Sequence, residues 1–454
     1  MTQGSISKLL LFFCLPLILG NMFQVLYNTV DTMVVGNFVG KEALAAVSAT
    51  SPMVNIAVFS FNGISIGAGV VIGQYFGARD QDQLHRSIET TMALTFILSV
   101  VFTVVGVLAA PWMMRLISTP DDVMGPAVTY LQIYFAGISG LLVYNMGSGI
   151  LRAVGDSTRP LIFLIIASLT NIVLDLLFVV GFGMGIAGAA VATILSQFLS
   201  AGLVLVLLIR ADDVYRYSLR ETAIDGRLLR RILSVGLPAG FQSMITAFAN
   251  GFVQAYINAF GSAVMAGWGC YNKLDQVMML PVQSMGHASA TFVSQNIGAG
   301  REERANRGTF TAAAMITGFN FVCASLLTLF ARPAVSIFTS DRAVIDSGVA
   351  FIRTNSMFFV INGINHALAG SMRGRGDARA PMYIMLFCFV GIRQLYLFVI
   401  TRLFNDSLIV AFGYPVGWIS CAVILGSYYY RKYFRGGGTA SAGTEADEGQ
   451  EAGA

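Results

Sequence analysis

Apolar runs long enough to cross a bilayer recur along the whole 454-residue chain, and they limit its fold more than any other feature. A helix needs about 20 mainly apolar residues to span the hydrocarbon core. Twelve runs meet that length, at 9–36, 48–76, 88–113, 127–151, 160–181, 185–209, 232–260, 264–297, 308–331, 347–372, 381–401 and 407–430. Several are longer than the minimum, which allows tilting. Only 11% of residues are charged, against about 25% in a soluble domain. The expected fold class is an all-α polytopic membrane protein with twelve transmembrane helices.

Lys and Arg set the orientation. Of 28, 20 lie before the first run or in alternate loops, in groups at Lys8, Arg79 and Arg86, Arg152 and Arg159, Arg210–Arg231, Arg301–Arg307, Arg373–Arg379 and Arg431–Arg435. The opposite loops hold Lys41, Arg115, Arg332, Arg342 and Arg402. Both termini are therefore expected in the cytoplasm, with the chain multi-pass in the inner (plasma) membrane. The net charge of +4 is too small to suggest a nucleic-acid partner.

The chain is written twice. IGQYFGARDQDQLHRS from Ile72 returns as VSQNIGAGREERANRG from Val293, and LRAVGDSTRP from Leu151 returns as MRGRGDARAP from Met372. Gln74 with Gln295, Gly77 with Gly298, Arg152 with Arg373, Asp156 with Asp377, and Gly40 with Gly261 all keep one offset of 221. Each copy holds six spans, an even number, so both enter the membrane the same way round. Parallel repeats of this kind occur in alternating-access transporters. The expected domains are an N-terminal bundle at 1–209, a basic linker at 210–231, a C-terminal bundle at 232–435 and a disordered acidic tail at 436–454. The repeated motifs lie at cytoplasmic ends, where a folding role is favoured over an inner gate.

The five cysteines all lie within spans and show no metal-ligand spacing. The first apolar run is too long, and lacks the small-residue site, for a cleavable signal.

Polar groups inside the spans are costly and so informative. Asn21, Gln24, Asn28 and Asp31 share one face of the first helix. Ser168, Asn171 and Asp175 repeat that pattern on the fifth span, with Thr193 on the sixth and Asn145 on the fourth. Asp31 and Asp175 come to similar depth. If their helices are neighbours, the two carboxylates share one pocket and will not both ionise readily. A proton or a bound cation then resolves the conflict, which makes a switchable ion site. The competing reading, that each Asp only glues the bundle by hydrogen bonding, is the weaker one for two acids at one depth.

The second copy has Phe252 in place of Asp31 and Tyr396 in place of Asp175. Its own polar residues include Asn250 and Gln254 on the seventh span, Lys273, Asp275 and Gln283 on the eighth, His366 on the tenth and Arg393 on the eleventh. With Gln24 and Asn28 they are candidates for lining a substrate cavity. Asp275 is expected either to pair with Arg393 or to take part in coupling. His366 lacks a second ligand at a suitable spacing, so no metal is expected beyond Na⁺ at Asp31 and Asp175.

FQVLYNTVDTMVVGNFVGKEALAAVSATSP, IGQYFGAR, LRAVGDSTRP, GLPAG, QNIGAG and MRGRGD, in this order and across nearly the whole chain, resemble the multidrug and toxic compound extrusion (MATE) family. The resemblance implies two pseudo-symmetric six-helix bundles across a V-shaped central cleft. It implies export of amphipathic, often cationic organic compounds in exchange for inward H⁺ or Na⁺, without a cofactor and as a monomer. It places ion coupling on Asp31 and Asp175, with Asn171, Thr193 and Asn145 as partners. Some members carry an acid on the seventh helix, and none is present here. The alternative is a flippase for lipid-linked precursors, which needs a basic cavity, and only Lys273 and Arg393 are available for one. An enzyme is not expected, since His85, His287 and His366 lie on separate elements with no nucleophile–base pair.

Overall fold

The computed structural model describes residues 1–211, 213–218 and 223–435. Arg220 of the basic linker and the tail from Gly436 lie outside them.

The described chain is helical nearly throughout. The elements are α1 (Ile6–Val39), α2 (Lys41–Ala78), α3 (Gln81–Leu116), α4 (Asp121–Ala136), α5 (Ile138–Val154), α6 (Thr158–Gly181) and α7 (Gly185–Arg210). They continue with α8 (Gly226–Asn258), α9 (Ser262–Gly298), α10 (Glu302–Leu329), the short α11 (Ala331–Ser336), α12 (Arg342–Gly374), α13 (Arg379–Leu403) and α14 (Ser407–Arg435). Ten of these are long and apolar enough to cross a membrane, and the pair α4–α5 makes an eleventh. The twelfth expected span is α9, continuous over 37 residues. It misses the apolar criterion because it carries Lys273, Asp275, Gln276, Gln283 and His287.

The fourth run departs from its sequence reading. It is two helices bent by 47°, joined at Gly137. A Cβ there would lie 2.4 Å from the Ile194 side chain of α7, so the bend lets the chain pass close to α7.

Compactness divides the chain into two units, Leu11–Met244, and Met1–Leu10 with the chain from Ile245 onward. The division falls within α8, whereas the domain boundaries read from sequence fall at the 210–231 linker. In the first unit α2 packs on α3, α4 and α5, and α7 on α4, α5 and α6. In the second, α9 packs on α10 and α12, and α12 on α10 and α14.

Within the first unit α2 and the first turns of α8 touch backbone to backbone. A Cβ on Gly63 would stand 2.3 Å from the Gly240 nitrogen, and one on Gly67 would stand 2.3 Å from the Ile232 carbonyl. Small residues four apart on each helix permit this approach, as is common between helices in lipid.

The repeated GD motif is a helix stop followed by a helix start. Gly155 (φ 101°) and Gly376 (φ 88°) take left-handed conformations that favour glycine. Asp156 N donates to Leu151 O at 2.9 Å and Asp377 N to Met372 O at 3.0 Å, which closes α5 and α12 in the same way. The two carboxylates then open the next helices, Asp156 accepting from Thr158 N and Arg159 N, and Asp377 from Ala380 N.

Candidate functional site

Four helices of the first unit each contribute two polar residues four positions apart, so that each pair lies on one face. They are Tyr27 and Asp31 on α1, Tyr130 and Tyr134 on α4, Asn171 and Asp175 on α6, and Thr193 and Gln197 on α7. Asp175 and Asn171 are fully buried and Asp31 is 8% exposed.

The Asp31 and Asp175 carboxyls are neighbours. Neither oxygen of Asp175, nor Oδ1 of Asp31, has a donor. Ionised carboxylates only accept, and two neighbouring buried acids do not both ionise readily. Both amide atoms of Asn171, one turn away, are also buried without partners. Tyr27 lies near Thr193, Tyr134 near Gln197, and Tyr130 near both carboxyls. The Tyr130 and Tyr134 rings stack with centroids 6.4 Å apart. Val34, Val35, Ala43, Val179 and Ala189 form an apolar cluster about one turn from the acids. The result is a buried cluster of oxygen-bearing side chains around the two acids.

A wider π-helical segment lies just beyond each acid: Val35–Val39, one turn after Asp31, and Leu176–Gly181, immediately after Asp175. Such segments cluster at functional sites and give a helix a local point of adjustment.

Four of the five residues expected to hold the ion meet here. The fifth, Asn145, is engaged elsewhere. Its Nδ2 donates to Leu141 O, and its carbonyl accepts from Ser65 Oγ at the crossing of α2 and α5. Sequence reading missed Tyr27, Tyr130, Tyr134 and Gln197. Their signal was the four-residue spacing to a second polar group on the same helix.

The cavity candidates are dispersed. Gln24, Asn28, Asn250, Lys273 and Gln283 are exposed, whereas Gln254, Asp275 and His366 are half-buried. Gln254 bonds Asn258 and Asn272. The expected Asp275–Arg393 pair is not among the ion pairs of the described residues. Asp275 accepts from Tyr271 OH at 3.3 Å, and Arg393 lies over the Tyr414 ring at 4.9 Å. Tyr414, which is close to both charges, takes up the guanidinium instead. Lys273 sits over Phe338, so the two cations that a flippase would need are each held by a different ring.

A helical, twice-repeated membrane bundle with acids buried among its spans defines a polytopic transporter. The chain belongs to the MatE family, whose model matches it twice, at residues 16–177 and 238–399, once in each copy of the repeat. It is 31% identical over 435 residues to the probable multidrug resistance protein YpnP of Bacillus subtilis, covering 95% of this chain and 96% of that one. An FAD transporter of Shewanella oneidensis is 27% identical over 354 residues, covering 76% and 77%. A MATE crystal structure in the bent conformation superposes with a TM-score of 0.91 at 22% identity, covering 96% of this chain and 98% of that one.

Proposed function

We propose that this membrane protein is a secondary-active antiporter that exports amphipathic, often cationic organic compounds in exchange for inward H⁺ or Na⁺. The paired carboxyls of Asp31 and Asp175 carry this reading. With the ion bound, repulsion between them is relieved and α1 and α6 draw together. With the ion gone, they separate. The π-helical segments beside both acids let that local change bend the helices. Exchange follows if ion and cargo favour different states of the protein, since a ligand shifts an equilibrium only by its differential affinity. Asn171 and Thr193 complete the oxygen set, while Asn145 steadies the α2–α5 crossing. No cofactor and no chemical step are needed, and one chain in the plasma membrane, with both termini cytoplasmic, suffices.

The test is transport of a fluorescent organic cation in vesicles holding the purified protein, driven separately by a pH gradient and by a Na⁺ gradient. One gradient is expected to drive movement at least tenfold above protein-free vesicles, and Asp31→Asn is expected to remove that drive. Transport that ignores both gradients would overturn the antiport reading.

A further inference from the structure

The second unit buries a charge that the mechanism above does not use. Arg393 is 2% exposed. It lies 14 residues into α13, about 21 Å along the helix axis and so deep within the membrane. The structure makes room for it. Positions 413 and 417 of α14 are glycines, and a Cβ at them would stand 3.6 Å from Arg393 Cγ and 3.7 Å from Arg393 Cβ. A π-helical segment, Phe387–Ile392, ends immediately before it.

Its charge is not answered within the described chain. The Tyr414 ring lies beneath the guanidinium, but Nε and Nη2 have no acceptor. These two N–H groups form one edge of the guanidinium and point in parallel, a fork that fits two oxygens or a single halide. A buried, unpaired guanidinium is costly enough to demand a counter-charge. Asp275 does not supply it, since it accepts from Tyr271 and makes no ion pair with Arg393 among the described residues. One positive charge with one buried, unpaired fork calls for one negative charge. Lys273 of α9 is already set over Phe338.

We propose that Arg393, backed by Tyr414 and the Gly413/Gly417 seam, is a binding site for a small monovalent anion, a carboxylate or a halide. Such a site gives the second unit an anion-responsive element where the first unit has its acids. It also admits the carboxylate of a small anionic cargo.

The test uses the full-length protein in detergent and reads stability, so it is independent of the antiport reading. Acetate and chloride are titrated against a bulky sulfonate buffer anion at constant ionic strength. The unfolding midpoint of the unaltered protein is expected to rise saturably, by about 2 °C or more, and Arg393→Gln is expected to remove the rise. A response to acetate alone assigns the site to carboxylates, and a response to both assigns it to small anions generally. Equal midpoints in all three anions, or an undiminished rise in Arg393→Gln, would overturn the proposal. If that variant does not fold, bromide-soaked crystals of the unaltered protein decide: an anomalous peak beside the guanidinium is expected, and its absence overturns the site.

Discussion

An aspartate placed mid-span costs about 2.5 to 3.5 kcal/mol on insertion, and a chain that keeps two of them has to use or neutralise them. Asp175→Asn removes the need for a proton or cation while nearly preserving shape. It is therefore expected to leave the thermal midpoint unchanged or raised and to abolish ion-driven efflux. A destabilised Asp175→Asn protein would make the acid a structural element instead. The spacing of Asn171 and Asp175, and of Asn28 and Asp31, made the acids legible in the sequence. The tyrosines around them were not, because a tyrosine in an apolar run reads as filling until a neighbour shows where its hydroxyl points. Outside the membrane, burial raises the Asp377 carboxyl, but bonds from Lys432, Tyr433 and the Ala380 amide outweigh it and hold it below the ordinary range. A depressed folded value means that the stabilisation is present above the unfolded carboxylate value and is lost as pH falls through the folded one. Loss of stability below about pH 4 should thus be shallower in Asp377→Asn than in the parent, as read by thermal midpoints across pH. Equal slopes would show that the Asp377 contacts contribute nothing to folding.

Elements in this chain are positioned by small residues and by their ends. Gly63→Val would force its Cβ into the Gly240 backbone, and overpacking of this kind costs about 1–3 kcal/mol. The variant should give less folded protein and a lower midpoint, and a normal midpoint would mean that α2 and α8 do not hold the contact described. The end of α2 offers the opposite sign. Arg79 takes a left-handed conformation at φ 57°, where the second copy has Gly300 at φ 69°. Left-handed backbone costs a non-glycine residue about 1–2 kcal/mol, and glycine's greater unfolded freedom gives back about 0.5–1 kcal/mol. Arg79→Gly should therefore stabilise the protein by up to about 1.5 kcal/mol, visible as a higher midpoint. A lower one would show that the Arg79 side chain contributes more than its backbone loses. Helix ends of this sort were readable, since Gly155–Asp156 and Gly376–Asp377 carry their stop and start chemistry in two letters. The bend at Gly137 and the π-helical segments were not, because they answer to Ile194 and to the packing around the acids, which no local pattern encodes.

At the scale of the molecule, the sequence repeat is reproduced as a structural repeat, yet the copies diverge in their interiors. At the common offset Tyr130 gives way to Phe351, Gln197 to Trp418, and the two acids to Phe252 and Tyr396. Trp268 packs against Tyr271, Phe351 and Tyr414 in an aromatic nest that has no acid counterpart in the first unit. The divergence was legible as substitutions, but where Asp275 and Arg393 would settle was not, since ring contacts decided it. What the copies share is the charge of their loops. Translocating Lys and Arg is costly, so the proposed topology keeps these loops cytoplasmic, and an even number of spans per copy gives both copies the same orientation. A periplasmic reporter enzyme fused after Leu116 should therefore be active, whereas fusions after Arg79, Arg210 or Arg435 should be inactive. The two halves test the rule separately: a fusion after Phe404 should be active, like the one after Leu116. The reverse pattern would place the basic loops outside and invert the direction of every gradient in the proposed exchange. A pattern that differs between the halves would mean that one copy does not cross the membrane six times, and α9, the least apolar of the long helices, is where that failure would be found.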